Sequence, residues 1–133
     1  MTPENIRSSM ASYLSASWAT CTDISWPNVV FTPEEGSSWI RPIIKMGNTY
    51  EGELGETGVG VRNGVLMISV FTPLDSGTKT GYDLAGRLET AFRRHITSEG
   101  IMFGEPNTTE VGKDPNGFYH HLMTVGFQTF VGE

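Results

Sequence analysis

The residue types best suited to chemistry in this sequence are three histidines, one cysteine and a short run of glutamates. His120 and His121 are adjacent, and His95 is the only other histidine. Neighbouring side chains on a strand point to opposite faces, so these two imidazoles are not expected to bind one metal ion. Cys21 is the only cysteine and has no histidine near it in the sequence. We therefore predict no metal site.

A group of acids and a glycine-rich stretch follow each other in the middle of the chain. Glu51, Glu53 and Glu56 resemble paired catalytic acids or a cation site, but a solvated acidic loop is the commoner explanation of this pattern. Gly58 and Gly60 lack the Lys-Ser/Thr pair and the following helix of a phosphate-binding loop. No serine or cysteine lies in a G-x-S-x-G context. We expect no enzymatic activity and no cofactor.

The charge balance argues against recognition of nucleic acid. Fifteen acidic residues against nine lysines and arginines give a formal charge of −6. Proteins that bind phosphates of DNA usually carry a basic patch. The only local basic cluster is Arg87, Arg93 and Arg94, interleaved with Glu89. Sequence-specific DNA binding is therefore not expected.

The length and composition are typical of one folded domain over residues 1–133. A chain of this size buries enough surface to fold without a disulfide or a metal. The first residues lack a basic segment followed by an apolar run, and the longest apolar stretch is too short to cross a bilayer. We expect a chain that is made and assembles in the cytoplasm and binds no membrane.

Apolar periodicity predicts two helices. The first begins with Thr2 as N-cap and continues to about Trp18 with one apolar stripe. The second is expected over residues 79–98, with Gly100 as its C-cap. The expected inner face of this second helix consists of Tyr82, Ala85, Leu88, Ala91, Phe92 and His95 or Ile96. The small residues expected to bring it close to the sheet are Gly81, Ala85 and Gly86.

Strand-forming residues predict a mostly antiparallel sheet with these helices on one side, so the fold class is α+β. The expected strands are residues 29–31, 39–46, 59–62, 65–71, 101–103 and 118–131. Asn63-Gly64 predicts a two-residue hairpin turn. Pro42 is expected at a sheet edge or a bulge.

The remaining segments complete these expectations. Strand 65–71 is nearly all apolar and is expected to be central and covered on both faces, and strand 118–131 carries apolar residues on both sides and is expected to be largely covered. Residues 47–58 are expected to form a long polar loop or an extended hairpin arm. Residues 106–117 are expected to form a polar loop.

The order and spacing of these segments resemble phage tail terminator and tail-completion proteins. Residues 24–33 (ISWPNVVFTP) and 39–41 (WIR) resemble the early strands of that family. Residues 64–73 (GVLMISVFTP) resemble its central strand, and residues 77–92 resemble its turn and long helix. The resemblance extends to about Arg94, and the region after that helix matches only in layout.

This resemblance implies a structural virion protein without catalysis. It implies a homohexameric ring at the head-proximal end of the tail that caps the tube, stops its polymerisation and docks the head connector. The implied partners are the tail tube protein and a head completion or neck connector protein, with genome DNA passing through the lumen without specific binding.

A ring needs two different patches on each subunit, and two segments of opposite charge are candidates. The candidate subunit or tube contacts are Tyr50, Glu51, Glu53 and Glu56 on the acidic arm and Arg87 and Arg94 on the second helix. The alternative is that these charges are simply solvated surface. The net negative charge further predicts a lumen lined by acidic residues, which would repel the passing DNA.

Three other functions stay open on the sequence alone. The chain could be another neck or head–tail joining protein, or a tail tube or minor tail subunit. A small cytoplasmic enzyme or ligand-binding domain would require a concave pocket with convergent polar groups.

Overall fold

The computed structural model describes residues 2–18, 21–51 and 60–131, with two helices and six strands in these ranges. In chain order they are α1 (Pro3–Trp18), β1 (Asp23–Ile24), β2 (Trp39–Glu51), β3 (Gly60–Pro73), α2 (Lys79–Phe92), β4 (Met102–Phe103), β5 (Asn107–Asp114) and β6 (Phe118–Val131). The strand order is β1-β2-β3-β6-β4, and β5 also pairs with β6. Only β1 and β2 are parallel. The expected α+β fold with a mostly antiparallel sheet is confirmed.

Both helices pack on the same face of this sheet. That face is formed by alternate residues of the central strands, including Leu66 and Ile68 of β3 and Met123 of β6, none more than 2% exposed. They form one core cluster with the stripes of α1 and α2, whose buried members include Leu14 and Phe92. Burying each such side chain contributes about 1.5–3 kcal/mol. This apolar layer holds the sheet and both helices together.

The first helix begins and ends as the sequence predicts. The Thr2 hydroxyl oxygen accepts a hydrogen bond from the Asn5 backbone N–H at 3.1 Å, which is the expected N-cap. Ile6 and Trp18 mark the two ends of its buried stripe. Helical periodicity and capping were sufficient here.

The second helix is six residues shorter than expected. It ends at Phe92, and Arg94 has a positive φ of 51°. The Arg94 N–H then donates to the Gly104 carbonyl at 3.0 Å, so pairing with the returning chain replaces the next helical turn. Gly100, with φ +103°, therefore belongs to a later turn and is not the C-cap of α2. The predicted helix end at residue 98 and the predicted C-cap at Gly100 were both wrong, because the apolar spacing in the sequence continues past the end of the helix.

The inner face of α2 also differs in part from the expected one. Its buried residues are Gly81, Ala85, Leu88 and Phe92. Tyr82 is 46% exposed and Ile96 is 62% exposed. Gly86 has open space around it, so it does not bring the helix near the sheet. Gly81 does, because its backbone lies against the ring of His121.

The predicted hairpin turn at Asn63-Gly64 is wrong. Both residues lie inside β3, where Asn63 pairs with Gln128 and Gly64 pairs with both Met46 and Phe127. The β2–β3 register shifts between Met46 and Thr49, so these residues face a β-bulge. A glycine inside a strand commonly marks such a bulge or a close approach of another chain segment. Asn63 and Gly64 are therefore explained by the bulge and by close packing inside the sheet, and not by a hairpin turn.

For the segment 47–58 the sequence left two alternatives, a polar loop or an extended hairpin arm, and the structure decides between them for part of it. Residues 47–51 belong to β2, and Glu51 pairs with Gly60 of β3. This confirms the extended hairpin arm for those residues. Residues 52–58 lie outside the described ranges.

Two other segments differ from expectation. Residues 29–31 are not a strand, because Asn28 turns the chain with a φ of 60° and leaves Val30 96% exposed. The expected loop at 106–117 contains β5, a polar edge strand whose side chains lack apolar alternation. Pro42 lies beyond the two residues of β2 that pair with β1, so its place at a sheet edge is confirmed.

The sheet face opposite the helices is only partly covered. Phe71 is buried there, 1% exposed, but Val65, Met67 and Leu122 are half-buried and Phe130 is 53% exposed. The central position predicted for β3 is confirmed, but its coverage on this second face is incomplete. Among the described residues, the apolar side chains of this open face gain their burial from neighbours within the sheet.

Candidate assembly surfaces

The acidic arm is the far end of the β2–β3 hairpin. Tyr50 pairs with Val61, and Glu51 pairs with Gly60 at the end of the described ladder. Glu53 and Glu56 lie outside the described residues. The structure thus places the start of this candidate surface at one extremity of the sheet.

The two candidate arginines do not share a helix face. Arg87 is exposed on α2, and its Nη1 lies 3.3 Å from Cys21 Sγ. Arg94 lies after the helix end and pairs with Glu105. The hydrogen bond from Arg94 holds the pKa of the Glu105 carboxyl below its usual value, with Arg93 acting in the same direction. Arg87 has no ion pair within the described ranges, so of these two arginines it is the one available to a partner.

A groove of about 1070 Å³ lies between α1 and the outer edge of β2. Its lining is mostly apolar and includes Met10, Trp26, Val29, Ile43 and Met46. Its polar members, besides main-chain groups, are Arg7, Ser12 and Ser15. Because the lining is mostly apolar, the groove is suited to apolar contact with another protein surface. Sequence reasoning missed it, since it arises only when α1 lies beside a strand edge.

An aromatic cluster occupies one end of the open face. Trp39 stacks on Phe71 with ring centroids 4.2 Å apart, and His120 stacks on the same ring at 4.6 Å. The Arg41 guanidinium lies 5.0 Å from the Phe71 centroid. Burial lowers the pKa of His120, and the charge of Arg41 lowers it further. This arrangement favours a neutral imidazole that packs as an aromatic ring.

His121 lies on the opposite face, as the strand alternation predicted. It is fully buried, and neither ring nitrogen has a hydrogen-bond partner within residues 2–18, 21–51 and 60–131. Nearby, the Glu110 carboxylate accepts hydrogen bonds from the hydroxyls of Tyr82, at 2.8 Å, and Tyr119. Within the same described ranges, no three His, Cys, Asp or Glu side chains come together as metal ligands. The two histidines are thus packing residues on separate faces.

The comparison that decides the family concerns most of the chain. A family model described as phage tail terminator protein matches residues 5–110, from the first turn of α1 into β5. The chain belongs to the phage tail terminator family. The resemblance in the order of strands, turn and helix is thereby confirmed. This family is structural and not catalytic, so the chain has a structural role in the phage tail.

The fold has a close counterpart among solved structures. One solved chain, which has no functional name, is 18% identical, with a TM-score of 0.74 over 100% of this chain and 99% of the other. It is one of 13 solved chains that match. At that identity the likeness concerns the fold alone. No protein with a curated description matches the sequence.

Membership of the tail terminator family gives the surfaces their context. A tail protein associates with other tail components and is a component of the virion. The helices of the described ranges are too short or too polar to span a membrane. The surfaces above are therefore candidates for contact with other tail components.

Proposed function

We propose that this protein forms a ring that caps the phage tail tube. The ring consists of six copies, stops further addition of tube subunits, and provides the surface on which the head or neck connector docks. It is assembled in the host cytoplasm and stays at the head-proximal end of the tail. No catalysis or cofactor is part of this function.

The observation that carries this proposal is the family match over residues 5–110. Two features of the structure support it. A closed ring is built from one repeated contact between two unlike patches, and the end of the β2–β3 ladder at Glu51 and the apolar groove lie at different places on the chain. The lining of the groove is mainly apolar, which suits contact with another protein.

Genome DNA passes through the lumen of the proposed ring without specific binding. Each copy has a formal charge of −6, so an assembled ring is strongly negative. A lumen with the same sign as the phosphates repels the DNA and prevents it from adhering. A structure of the ring with basic residues along its lumen would contradict this part of the proposal.

We expect charge steering between the arm and α2 to affect the rate of assembly. Tyr50, Glu51, Glu53 and Glu56 of the arm and Arg87 and Arg94 are the proposed contacts with neighbouring subunits or the tube ring. Reversing both arginines to glutamate should slow association about tenfold at low salt, because complementary charges act mainly on the encounter rate. Light scattering at two salt concentrations measures this, and the difference should vanish at high salt, where charges are screened.

The matched control is Lys79→Glu, which reverses an exposed cation of the same helix that pairs with Asp83 at 2.6 Å. It should leave the association rate unchanged. Equal rates for the wild type and the double-arginine variant would contradict steering and leave these charges as solvated surface.

The proposed function is tested by mixing the purified protein with the tail tube protein encoded beside it and imaging by negative stain. We expect tubes of limited length that carry a ring at one end, whereas tubes without this protein grow on. Polymerisation of this protein alone into long tubes would identify a tube subunit. Binding to a connector without binding to tube ends would identify a different neck protein.

A further inference from the structure

The sheet has two free lateral edges that differ in shape. On one side β1 covers only Trp39 and Ile40, and no described strand pairs with the rest of the outer edge of β2. On the other side β5 pairs with β6 alone among the described strands. Unpaired edges attract further strands unless another surface covers them. Two unlike edges are also the minimum that a repeating head-to-tail contact requires.

The β2 edge is concave and apolar. The groove of about 1070 Å³ runs along it, with Pro42, Ile43, Ile44 and Met46 on the strand side and Met10 and Leu14 on the helix side. Ile43 is 41% exposed at this edge. The carbonyl of Ile40 accepts from Ser25 N–H of the β1 side at 2.8 Å, so alternation directs the peptide groups of Ile44 outward as well. Pro42 has no N–H, which limits pairing to the part of the strand after it.

The β5 edge carries an apolar projection. Val111 is 54% exposed and lies where the β5–β6 register shifts between Glu110 and Gly112. Gly112 has a φ of +118° at this bulge. Bulges re-aim side chains at sheet edges. An exposed valine held at such a position can enter an apolar groove.

The charges of the two edges are opposite. Arg41 and Lys45 lie on β2 and have no ion pair with any residue in the part of the chain that the structure describes. The β5 edge carries Glu110 and Asp114 against the single cation Lys113. The opposite charges therefore favour contact between a β2 edge and a β5 edge over contact between two identical edges.

We propose that β5 of one copy lies along β2 of the next, with Val111 seated in the groove beside α1. The occupant of the groove is thus a second copy of this chain. The inference rests on the proposed ring and adds which edges form its repeated contact. Each subunit then offers its groove to one neighbour and its valine to the other.

Cross-linking of single-cysteine variants tests this contact. In a Cys21→Ser background, Ile43→Cys and Val111→Cys proteins are mixed with tube ends and treated with a short thiol–thiol cross-linker. We expect a cross-linked dimer from the mixture and monomers from either variant alone, because the contact joins unlike edges. In one chain the two positions lie three strands apart, which alone is about 14 Å, and Val111 is further offset along the strands because Ile43 is level with Asn107. A cross-linker shorter than this distance cannot join the two cysteines of one Ile43→Cys/Val111→Cys chain. It should therefore join neighbouring subunits and give a ladder of cross-linked oligomers whose largest member has as many copies as the ring.

The control replaces Val111→Cys by Leu74→Cys, at an apolar side chain that is 37% exposed in the β3–α2 turn. It should give no dimer with Ile43→Cys. If rings formed but the Ile43→Cys and Val111→Cys mixture gave no more cross-linked dimer than this control, the inference would be overturned. As a second measurement, Val111→Asp should reduce the number of capped tubes at least tenfold and Leu74→Asp should not. Equal numbers for these two variants would also overturn it.

The same samples separate this inference from the proposed function. Capped tubes without the Ile43–Val111 product would leave the function standing and reject the contact. The specific product without capping or rings on tubes would support the contact and reject the terminator function. Absence of both would reject both.

Discussion

Gly64→Ala is expected to lower the free energy of unfolding by about 3 kcal/mol, because the added methyl group has no space inside the sheet. A Cβ at this position would lie 2.5 Å from the Lys45 carbonyl oxygen and 2.7 Å from the Phe127 ring. The carbonyl belongs to the β2–β3 ladder and the ring is buried, 4% exposed. Neither can withdraw without breaking other contacts. Urea unfolding followed by tryptophan fluorescence measures the change.

Gly86→Ala provides the matched control, since it adds the same methyl group where nothing lies within 4 Å. Gly86 is exposed on α2, and alanine in a helix interior is more favourable than glycine by about 0.5–1 kcal/mol. This variant should therefore be slightly more stable than the wild type. If Gly64→Ala were as stable as Gly86→Ala, the close packing at Gly64 would be contradicted.

The same glycine shows where sequence reasoning stops. Asn-Gly between apolar runs favours a turn when only local preferences act. Here Gly64 instead pairs with Met46 on one side and Phe127 on the other, inside two antiparallel ladders. A local pattern cannot distinguish a residue that needs a turn from one that needs space for a neighbouring strand.

Elements with a strong period of their own were predictable. The stripe from Ile6 to Trp18 gave α1 its correct bounds, and alternation gave β6 and the opposite directions of His120 and His121. Elements whose ends depend on distant partners were not. The chain leaves α2 after Phe92 because Arg94 bonds Gly104, and no residue near the helix end encodes that partner.

The candidate contacts divide in the same way. Charge indicated the arm and the arginines, but the structure pairs Arg94 with Glu105 and leaves Arg87 without an ion pair among the described residues. The groove and the two free edges depend on the order of strands in the sheet. For these edges the sequence held one correct indication: Pro42 predicted an edge position for its strand, because proline cannot donate a backbone hydrogen bond to a neighbouring strand.

Acid is expected to destabilise the protein below about pH 6.5 through the buried His121 and the half-buried His120. Burial of His121 lowers its pKa because a charged ring would lose its hydration. The unfolded chain therefore binds a proton that the native chain does not, and stability falls as the pH decreases below the unfolded value. His120 shifts in the same direction. Each histidine adds a slope of up to about 1.4 kcal/mol per pH unit.

His121→Leu should remove its part of this slope and leave that of His120. The groups that face His121 are Glu110 on β5, Tyr82 on α2 and Tyr119 on β6. Glu110 opposes the lowering of the His121 pKa, but burial outweighs it. Urea midpoints between about pH 5 and pH 8 measure the effect, which should be smallest at the upper limit, where histidines are neutral in both states.

Glu110 acts in a different pH range, which keeps the two effects separate. Hydrogen bonds from Tyr119 and Tyr82 lower the pKa of its carboxyl. Its contribution to stability is therefore complete above about pH 4.3 and is lost only as the pH falls further. Glu110→Gln should leave the slope between about pH 5 and pH 8 nearly unchanged. If His121→Leu retained the full wild-type slope there, His121 would have to take up a proton in the native protein as readily as in the unfolded chain. Gly81 and Tyr82 of α2, which lie against its ring, would then have to move apart to admit water.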